Sequence, residues 1–277
     1  MVGRDYRFEI SKSVPKCMKP FVLKLRPFYE SYVGWYYSLK ITRMIPRFWF
    51  KIRHGNTRRY ALFTDHPIAF ESPDHKFPYG TANDNSRNKA FNRSFYRIAK
   101  EFGYARPYEI LDLGCAGGGL VRTFISDGHN ALGLEGSDYC KKRGKFEWGV
   151  IPNNLFTCDV TKPFTIKAAG QYACFDMITA WEHLEHIHQR DLPQLLDNIK
   201  NHLCGIFVCS ISHISDVHGG FELHQTVKPI EWWDKLFAKH GFTKRDDILE
   251  KFNGNFVRAE PNSSFRVFEY YPKVGKK

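Results

Sequence analysis

Ile110-Leu-Asp-Leu-Gly-Cys-Ala-Gly-Gly-Gly-Leu-Val121 is an apolar run that stops at an acid and passes through a glycine-dense turn. The residues beyond it, Leu120-Val-Arg-Thr-Phe-Ile125, read as the start of a helix. A strand that ends in glycines before a helix lets a ligand lie against bare backbone N–H groups and the helix N-terminus. Asp112 is the discriminating residue. A carboxylate at the strand tip repels a pyrophosphate and favours a cationic ligand. Gly114, Ala116 and Gly119 also fit a dinucleotide-binding glycine pattern loosely, so the loop alone does not choose between the two.

The sequence downstream repeats the arrangement. Asn130-Ala-Leu-Gly-Leu-Glu135 reads as a second strand ending in an acid, 23 residues after Asp112. An acid at about that distance is placed to accept hydrogen bonds from ribose hydroxyls. Asn154-Leu-Phe-Thr-Cys-Asp159 gives a third strand, with Asp159 suited to an exocyclic amine. Phe175-Asp-Met-Ile-Thr-Ala180 makes a fourth that runs into Trp181-Glu-His-Leu-Glu-His186, and Gly205-Ile-Phe-Val-Cys-Ser-Ile211 a fifth. A helix through Ile230–Lys239, stopped by Gly241, carries Ile230, Trp233 and Phe237 on one face. Phe242-Thr-Lys-Arg and Ser264–Tyr271 supply two last strands. Asn85 or Ser86 is positioned to cap a helix running to about Phe102, and Gly80–Ser86 before it reads as a plain loop.

Four strand ends carrying Asp, Glu, Asp and a Trp-Glu-His cluster resemble the class I S-adenosylmethionine-dependent methyltransferases over roughly residues 76–277. The resemblance implies an α/β fold: a doubly wound, Rossmann-like, seven-stranded, mostly parallel sheet with a terminal antiparallel strand. It also implies S-adenosylmethionine as cofactor. Asp112, Gly114 and Gly118 match the family's loop around the methionine part, Glu135 the ribose acid and Asp159 the residue near adenine, with Trp181 as a wall. The resemblance adds a second reading of Gly80–Ser86, a lid over the cofactor, because in that family the helix before the first strand often covers it. Ala116 stands where the family has its second glycine. That predicts a backbone without positive φ there, with Gly117 and Gly119 absorbing the turn.

Glu182, Glu185 and His186 stand at i, i+3 and i+4, one face of a helix if the segment is helical. Two readings follow. In one, Glu182, Glu185 and His186 bind a divalent cation such as Mg2+, with His224 or His213 returning after the fifth strand. That pattern resembles the ubiquinone-pathway O-methyltransferases and the enzymes that 2′-O-methylate RNA 3′ ends. In the other, His186 acts as general base and the glutamates support it. His183 and His188 are expected to be exposed. No D/N-P-P-Y motif for a nitrogen acceptor is present, so a hydroxyl acceptor is expected.

Charge is concentrated. Residues 1–60 hold 14 Lys/Arg and 3 Asp/Glu, a net of +11 in a chain of net +12, together with 13 aromatics. The organisation expected is a basic, aromatic N-terminal extension over residues 1–75 and a methyltransferase domain over 76–277. The extension suits an anionic membrane surface, with a small-molecule, glycan or lipid-linked acceptor. The alternative is RNA, its phosphates met by the cations and its bases by the aromatics. A nicotinamide-dependent oxidoreductase and a non-catalytic cofactor-binding subunit are weaker alternatives. The N-terminus has no uninterrupted apolar stretch like that of a signal peptide, and seven cysteines form no C-x-x-C pair. Both point to a reducing, cytoplasmic setting without structural zinc.

Overall fold

The computed structural model describes residues 48–50, 59–78, 83–258 and 261–271. In chain order the elements are β1 (Tyr60–Phe63), α1 (Pro73–Lys76), α2 (Lys89–Glu101), β2 (Glu109–Leu113), α3 (Gly119–Ser126), β3 (Asn130–Glu135) and α4 (Tyr139–Arg143). Then come β4 (Leu155–Thr157), β5 (Thr165–Ala168), β6 (Gln171–Tyr172), β7 (Phe175–Trp181), α5 (Leu192–His202) and β8 (Leu203–Ser212). The chain continues through β9 (Val217–His218), β10 (Phe221–Glu222), α6 (Ile230–Lys239), β11 (Phe242–Lys244), α7 (Asp246–Lys251) and β12 (Ser263–Tyr270).

The expected seven-stranded sheet is present, in the order β11-β12-β8-β7-β2-β3-β4. β4, β3, β2, β7 and β8 are parallel, and β12 runs antiparallel between β8 and β11. After β2 the chain winds outward through β3 and β4, then returns to lay β7 on the other side of β2. The crevice at the carboxyl ends of β2 and β7 is therefore the switch point where open α/β sheets take ligands.

Both faces of the sheet are covered. On one, Leu111, Leu132, Ile178 and Phe207 pack with Trp233 and Phe237 of α6, both fully buried. On the other, Ile110, Met177 and Val208 meet Phe91, Phe95 and Ile98 of α2 and Phe252. Phe91, Phe95 and Ile98 recur at helical spacing, which is why α2 forms and which way it faces. Its cap is Asn88, whose side chain accepts from Ala90 N and Phe91 N, and not Asn85 or Ser86. Those two are engaged elsewhere: Asn85 Nδ2 donates to Glu147 and Ser86 Oγ to Asp84.

Two smaller assemblies flank the sheet. β1 pairs antiparallel with β5, and β5 with β6, burying Tyr60. After β8, β9 and β10 form a short hairpin whose Val217 and Phe221 are exposed, with Phe77 stacked beside His218 and Phe221. The chain divides into two compact units, residues 1–48 and 49–277, and every element named above belongs to the second. Tyr60 and Asp74, which composition groups with the basic extension, are thus built into the unit that holds the sheet. The rest of that extension lies outside the described residues.

Cys174 and Cys204 are disulfide-bonded, with Cα atoms 5.6 Å apart. The sequence reading expected no pairing. The two residues are 30 apart in the chain but meet because Phe175 and Leu203 are register partners on β7 and β8. Cys115, Cys158 and Cys209 are free and buried, and Cys140 is buried too.

Candidate functional site

The residues at the tips of β2 and β3 form one buried acidic corner. Asp112 is the register partner of Thr179 on β7 and accepts a 2.7 Å hydrogen bond from its hydroxyl. Burial pushes the Asp112 carboxyl up to about 7, against the Thr179 bond and with Glu135 and Asp84 adding repulsion. Glu135 accepts from Ala116 N at 2.8 Å and Ser137 N at 3.0 Å, and burial raises it to about 7 as well. No cation is among the groups that move either carboxyl. Among the described residues the pair has no positive partner, so a cationic ligand would complete it.

The loop between Asp112 and α3 is shaped by close approaches. Gly114 takes φ +67°, and a Cβ there would sit 2.5 Å from Nδ1 of His183. Gly117 N donates to Asp84 O at 2.7 Å, and a Cβ on Gly117 would lie 2.5 Å from that same oxygen. Residues 83–86 therefore form a strap over the loop; residues 80–82 of the expected lid lie outside the described residues. Ala116 corrects the sequence reading. It takes φ +43°, left-handed after all, while its N–H reaches Glu135 and its carbonyl accepts from Trp148 Nε1 at 2.8 Å. Those two hydrogen bonds hold an alanine in a conformation glycine would adopt more freely.

Asp159 lies just beyond β4 and is half-buried. Its Oδ1 accepts from Thr161 N at 3.0 Å and Thr161 Oγ1 at 2.6 Å, closing a local turn. Trp181 is 7% exposed and meets Phe91 edge-on at 5.0 Å; its indole N–H has no acceptor among the described residues. Core packing accounts for most of its surface.

The segment after β7 is not the α-helix its spacing suggests. Glu182 takes φ +47°, and only Leu184–His186 form a 3-10 turn. The i, i+3, i+4 face is consequently broken. Glu182 turns toward β12, where Ser263 Oγ donates to its Oε2 at 2.7 Å. His183 is half-buried beneath the glycine loop instead of exposed, and burial holds it down to about 4. His188 is exposed.

Glu185, His186 and His224 come together, each offering a ligand atom within 4.8 Å of the others. Glu185 is fully buried: Oε1 accepts from Ser212 N at 2.9 Å and Oε2 has no partner. Burial raises its pKa. His224 Nδ1 lies 2.6 Å from the Ile214 carbonyl, so Nδ1 carries the proton and Nε2 keeps its lone pair. His186 Nδ1 is paired with Asp74 Oδ1 at 3.0 Å. Burial opposes charge on His186, but Asp74, then Glu185 and Asp216, outweigh it and raise its pKa. His213 takes no part in the cluster; its Nδ1 faces the Lys228 carbonyl at 3.0 Å and its Nε2 Ser264.

Asp74 was invisible in the sequence. It sits on α1, which Ser72 caps and Pro73 opens. That start signal is legible as a helix N-terminus, but nothing in it says that the helix reaches a histidine 112 residues later.

A family model described as "Methyltransferase domain" matches residues 75–253. No curated protein matches the sequence. Among solved structures, a S-adenosylmethionine-dependent methyltransferase from Clostridium acetobutylicum has a TM-score of 0.50 at 13% identity, over 70% of this chain and 98% of its own. A TehB-like SAM-dependent methyltransferase from Corynebacterium glutamicum has a TM-score of 0.45 at 15% identity, over 71% and 94%. The glycopeptide N-methyltransferase MtfA has 0.43 at 12%, over 66% and 91%. At 13% identity the first likeness speaks to the fold alone. The family match spans well over half of the sequence, and with the strand order it settles membership: the chain belongs to the methyltransferase-domain family, among the class I S-adenosylmethionine-dependent methyltransferases.

Proposed function

We propose that this enzyme methylates a hydroxyl group, holding the acceptor at a divalent cation bound by Glu185, His186 and His224. The observation that carries this is their convergence within 4.8 Å, with the outward nitrogen of each histidine already anchored. His186 is anchored by Asp74 and His224 by the Ile214 carbonyl. Metal-ligating histidines are held in this way, each giving its other N–H to a carboxylate or carbonyl. Glu185 Oε2, buried without a partner, is a lone pair lacking its ligand. Two imidazoles and one carboxylate suit Mn2+, Fe2+ or Zn2+ better than the Mg2+ suggested by carboxylates alone. A cation there would lower the pKa of a bound hydroxyl. Glu182, with its carboxylate on Ser263, belongs to the surround of this set.

The acidic corner fits S-adenosylmethionine in the chemistry of its donors. Asp112 would face the cationic amino-acid end, Glu135 the ribose hydroxyls, and the Gly114–Gly118 loop the ligand's body. Asp159 is positioned for the base only through the oxygen that Thr161 leaves open. When bound, the cofactor supplies a methyl group already activated on sulfonium. The chain's remaining task is alignment and disposal of the acceptor's proton. With Nδ1 held by Asp74 and Nε2 given to the cation, His186 has no nitrogen left to act as a base, so the deprotonating role falls to the cation site. Small-molecule, glycan and lipid-linked hydroxyls all suit this chemistry. No helix among the described residues is long and apolar enough to cross a membrane.

The test is transfer of radiolabelled methyl to 3,4-dihydroxybenzoate and to phosphoethanolamine, with and without EDTA. O-methyl product, lost with EDTA and restored by Mn2+, is the expected result. Glu185→Gln should abolish turnover while leaving calorimetric binding of S-adenosylmethionine within about threefold. Methylation of the amine alone, or indifference to EDTA, would overturn the reading.

A further inference from the structure

The apolar face of α2 is spent on the core, and its opposite face carries a row of cations. Lys89, Arg93, Arg97 and Lys100 are all exposed, spaced four, four and three residues apart. At 100° per residue they fall within about 80° of one another around the helix. Along the axis they span about 16 Å. Arg87 extends the row beyond the helix N-terminus and is also exposed. Arg106 approaches from the other end, its guanidinium 6.0 Å from the Tyr96 ring.

Several cations elsewhere on this unit are paired with acids. Lys142 pairs with Asp138, Arg190 with Asp191, Lys200 with Asp197 and Lys244 with Asp234. The α2 row has no such partner among the described residues. Asp127, the acid that reaches this side, is already engaged by Tyr96 Oη at 2.8 Å and Asn92 Nδ2 at 3.3 Å. Unpaired like charges in single file repel one another, and a polyanion laid along them removes that repulsion.

We propose that the exposed face of α2 binds the phosphate backbone of a single-stranded nucleic acid. A row of about 16 Å spans four to five phosphates of a stacked strand at roughly 3.4 Å each. Beside it lies a shallow, open depression of about 570 Å³ lined by Ala90, Arg93, Ser94, Tyr96, Arg97 and Asn255. A helix that lies on a lipid surface inserts its apolar face, and that of α2 is buried under Phe91, Phe95 and Ile98. None of the chain's exposed large apolar residues lies between Lys89 and Glu101. The amino end of the row leads toward the strap at Asp84–Asn85, which rests on the glycine loop, so a strand following it runs toward the cofactor corner. This inference goes beyond hydroxyl methylation and stands whichever atom receives the methyl group.

The experiment uses the full chain and a fluorescein-labelled 12-nucleotide oligouridylate, read by anisotropy from 50 to 300 mM KCl. Wild type is compared with Lys89→Gln/Arg93→Gln/Arg97→Gln/Lys100→Gln. A second variant of equal net charge, Lys142→Gln/Arg190→Gln/Lys200→Gln/Lys244→Gln, serves as the control. The row variant should bind at least tenfold more weakly at 100 mM KCl. Its plot of log affinity against log salt should be shallower by about 3, at roughly 0.7 for each lost phosphate contact. The control should stay within about twofold of wild type. The half-variants Lys89→Gln/Arg93→Gln and Arg97→Gln/Lys100→Gln should each lose about half of the slope, which guards against misfolding of the fourfold change. Unchanged binding by the row variant, or equal loss by the control, would overturn the proposal. So would unchanged oligonucleotide binding with loss of binding to phosphatidylserine vesicles, which would make the row a lipid-facing surface.

Discussion

Asp112 and Glu135 show how buried carboxyls tie folding stability to pH. Each has its carboxyl raised to about 7, chiefly by burial. A folded value above the unfolded one means that protonation stabilises the ligand-free protein. That contribution is complete below about pH 4 and is lost as pH rises through 7. A cationic ligand acts in the opposite sense, because it favours the ionised pair. The thermal shift produced by saturating S-adenosylmethionine should therefore grow between pH 6 and pH 8, and Asp112→Asn should flatten that rise, as scanning fluorimetry can measure. A shift of constant size would mean that the two acids do not face the ligand's charge. Ala116 gives a second residue-scale expectation. Its φ of +43° costs about 1–2 kcal/mol relative to glycine, of which glycine's looser unfolded chain returns about half. Ala116→Gly should raise the melting temperature by about 2–4 °C. This position was misread from sequence because a residue type reports a preference, and two tertiary hydrogen bonds overrode it.

At the scale of elements, the strands were the most legible. β3 runs over the very residues read as a strand ending in an acid, and β2, β7 and β8 differ from expectation by a residue or two at their ends. Each is buried on both faces, so its apolar run is nearly unbroken, and β2, β3 and β7 stop at or just before a glycine or an acid. The turn after β7 was less legible. Glu182, Glu185 and His186 fit a helical face by spacing alone, and nothing in a list of residues announces positive φ at Glu182. The pairing of Cys174 with Cys204 was also hidden, since it depends on the register of two strands separated by α5. A bridge closing 30 residues contributes about 3–4 kcal/mol by loop-entropy reasoning. Cys174→Ser/Cys204→Ser should lower the denaturation midpoint accordingly, and alkylation without reductant should spare two cysteines in the wild type. Full alkylation of the unreduced, unfolded chain would show that the bridge is absent.

For the whole molecule, composition and architecture divide the chain at different places. The excess of Lys and Arg runs to residue 60, yet Tyr60 is buried under Phe175 and bonded to Glu109, and Asp74 pairs with His186. Charge could not reveal β1, because a four-residue strand among basic neighbours looks like the rest of the extension. A chain beginning at residue 49 should keep its cooperative melting transition and its S-adenosylmethionine binding. One beginning at residue 76 should lose at least part of its stability, having shed β1 and the partner of His186. Circular dichroism melts of the two would separate them; equal stability would make the first 75 residues dispensable to the fold.

The hairpin β9–β10 has one more implication. It follows β8 and precedes α6 in the chain, whereas Asp112 and Glu135 lie on β2 and β3. Exchanges confined to residues 217–221 would leave His224, the Ile214 carbonyl that anchors it and the strands of the acidic corner in place. Its exposed Val217 and Phe221 make the tip a separable element: a chimera that swaps only residues 217–221 should keep the parent's S-adenosylmethionine affinity, so that any change in acceptor preference would belong to the hairpin.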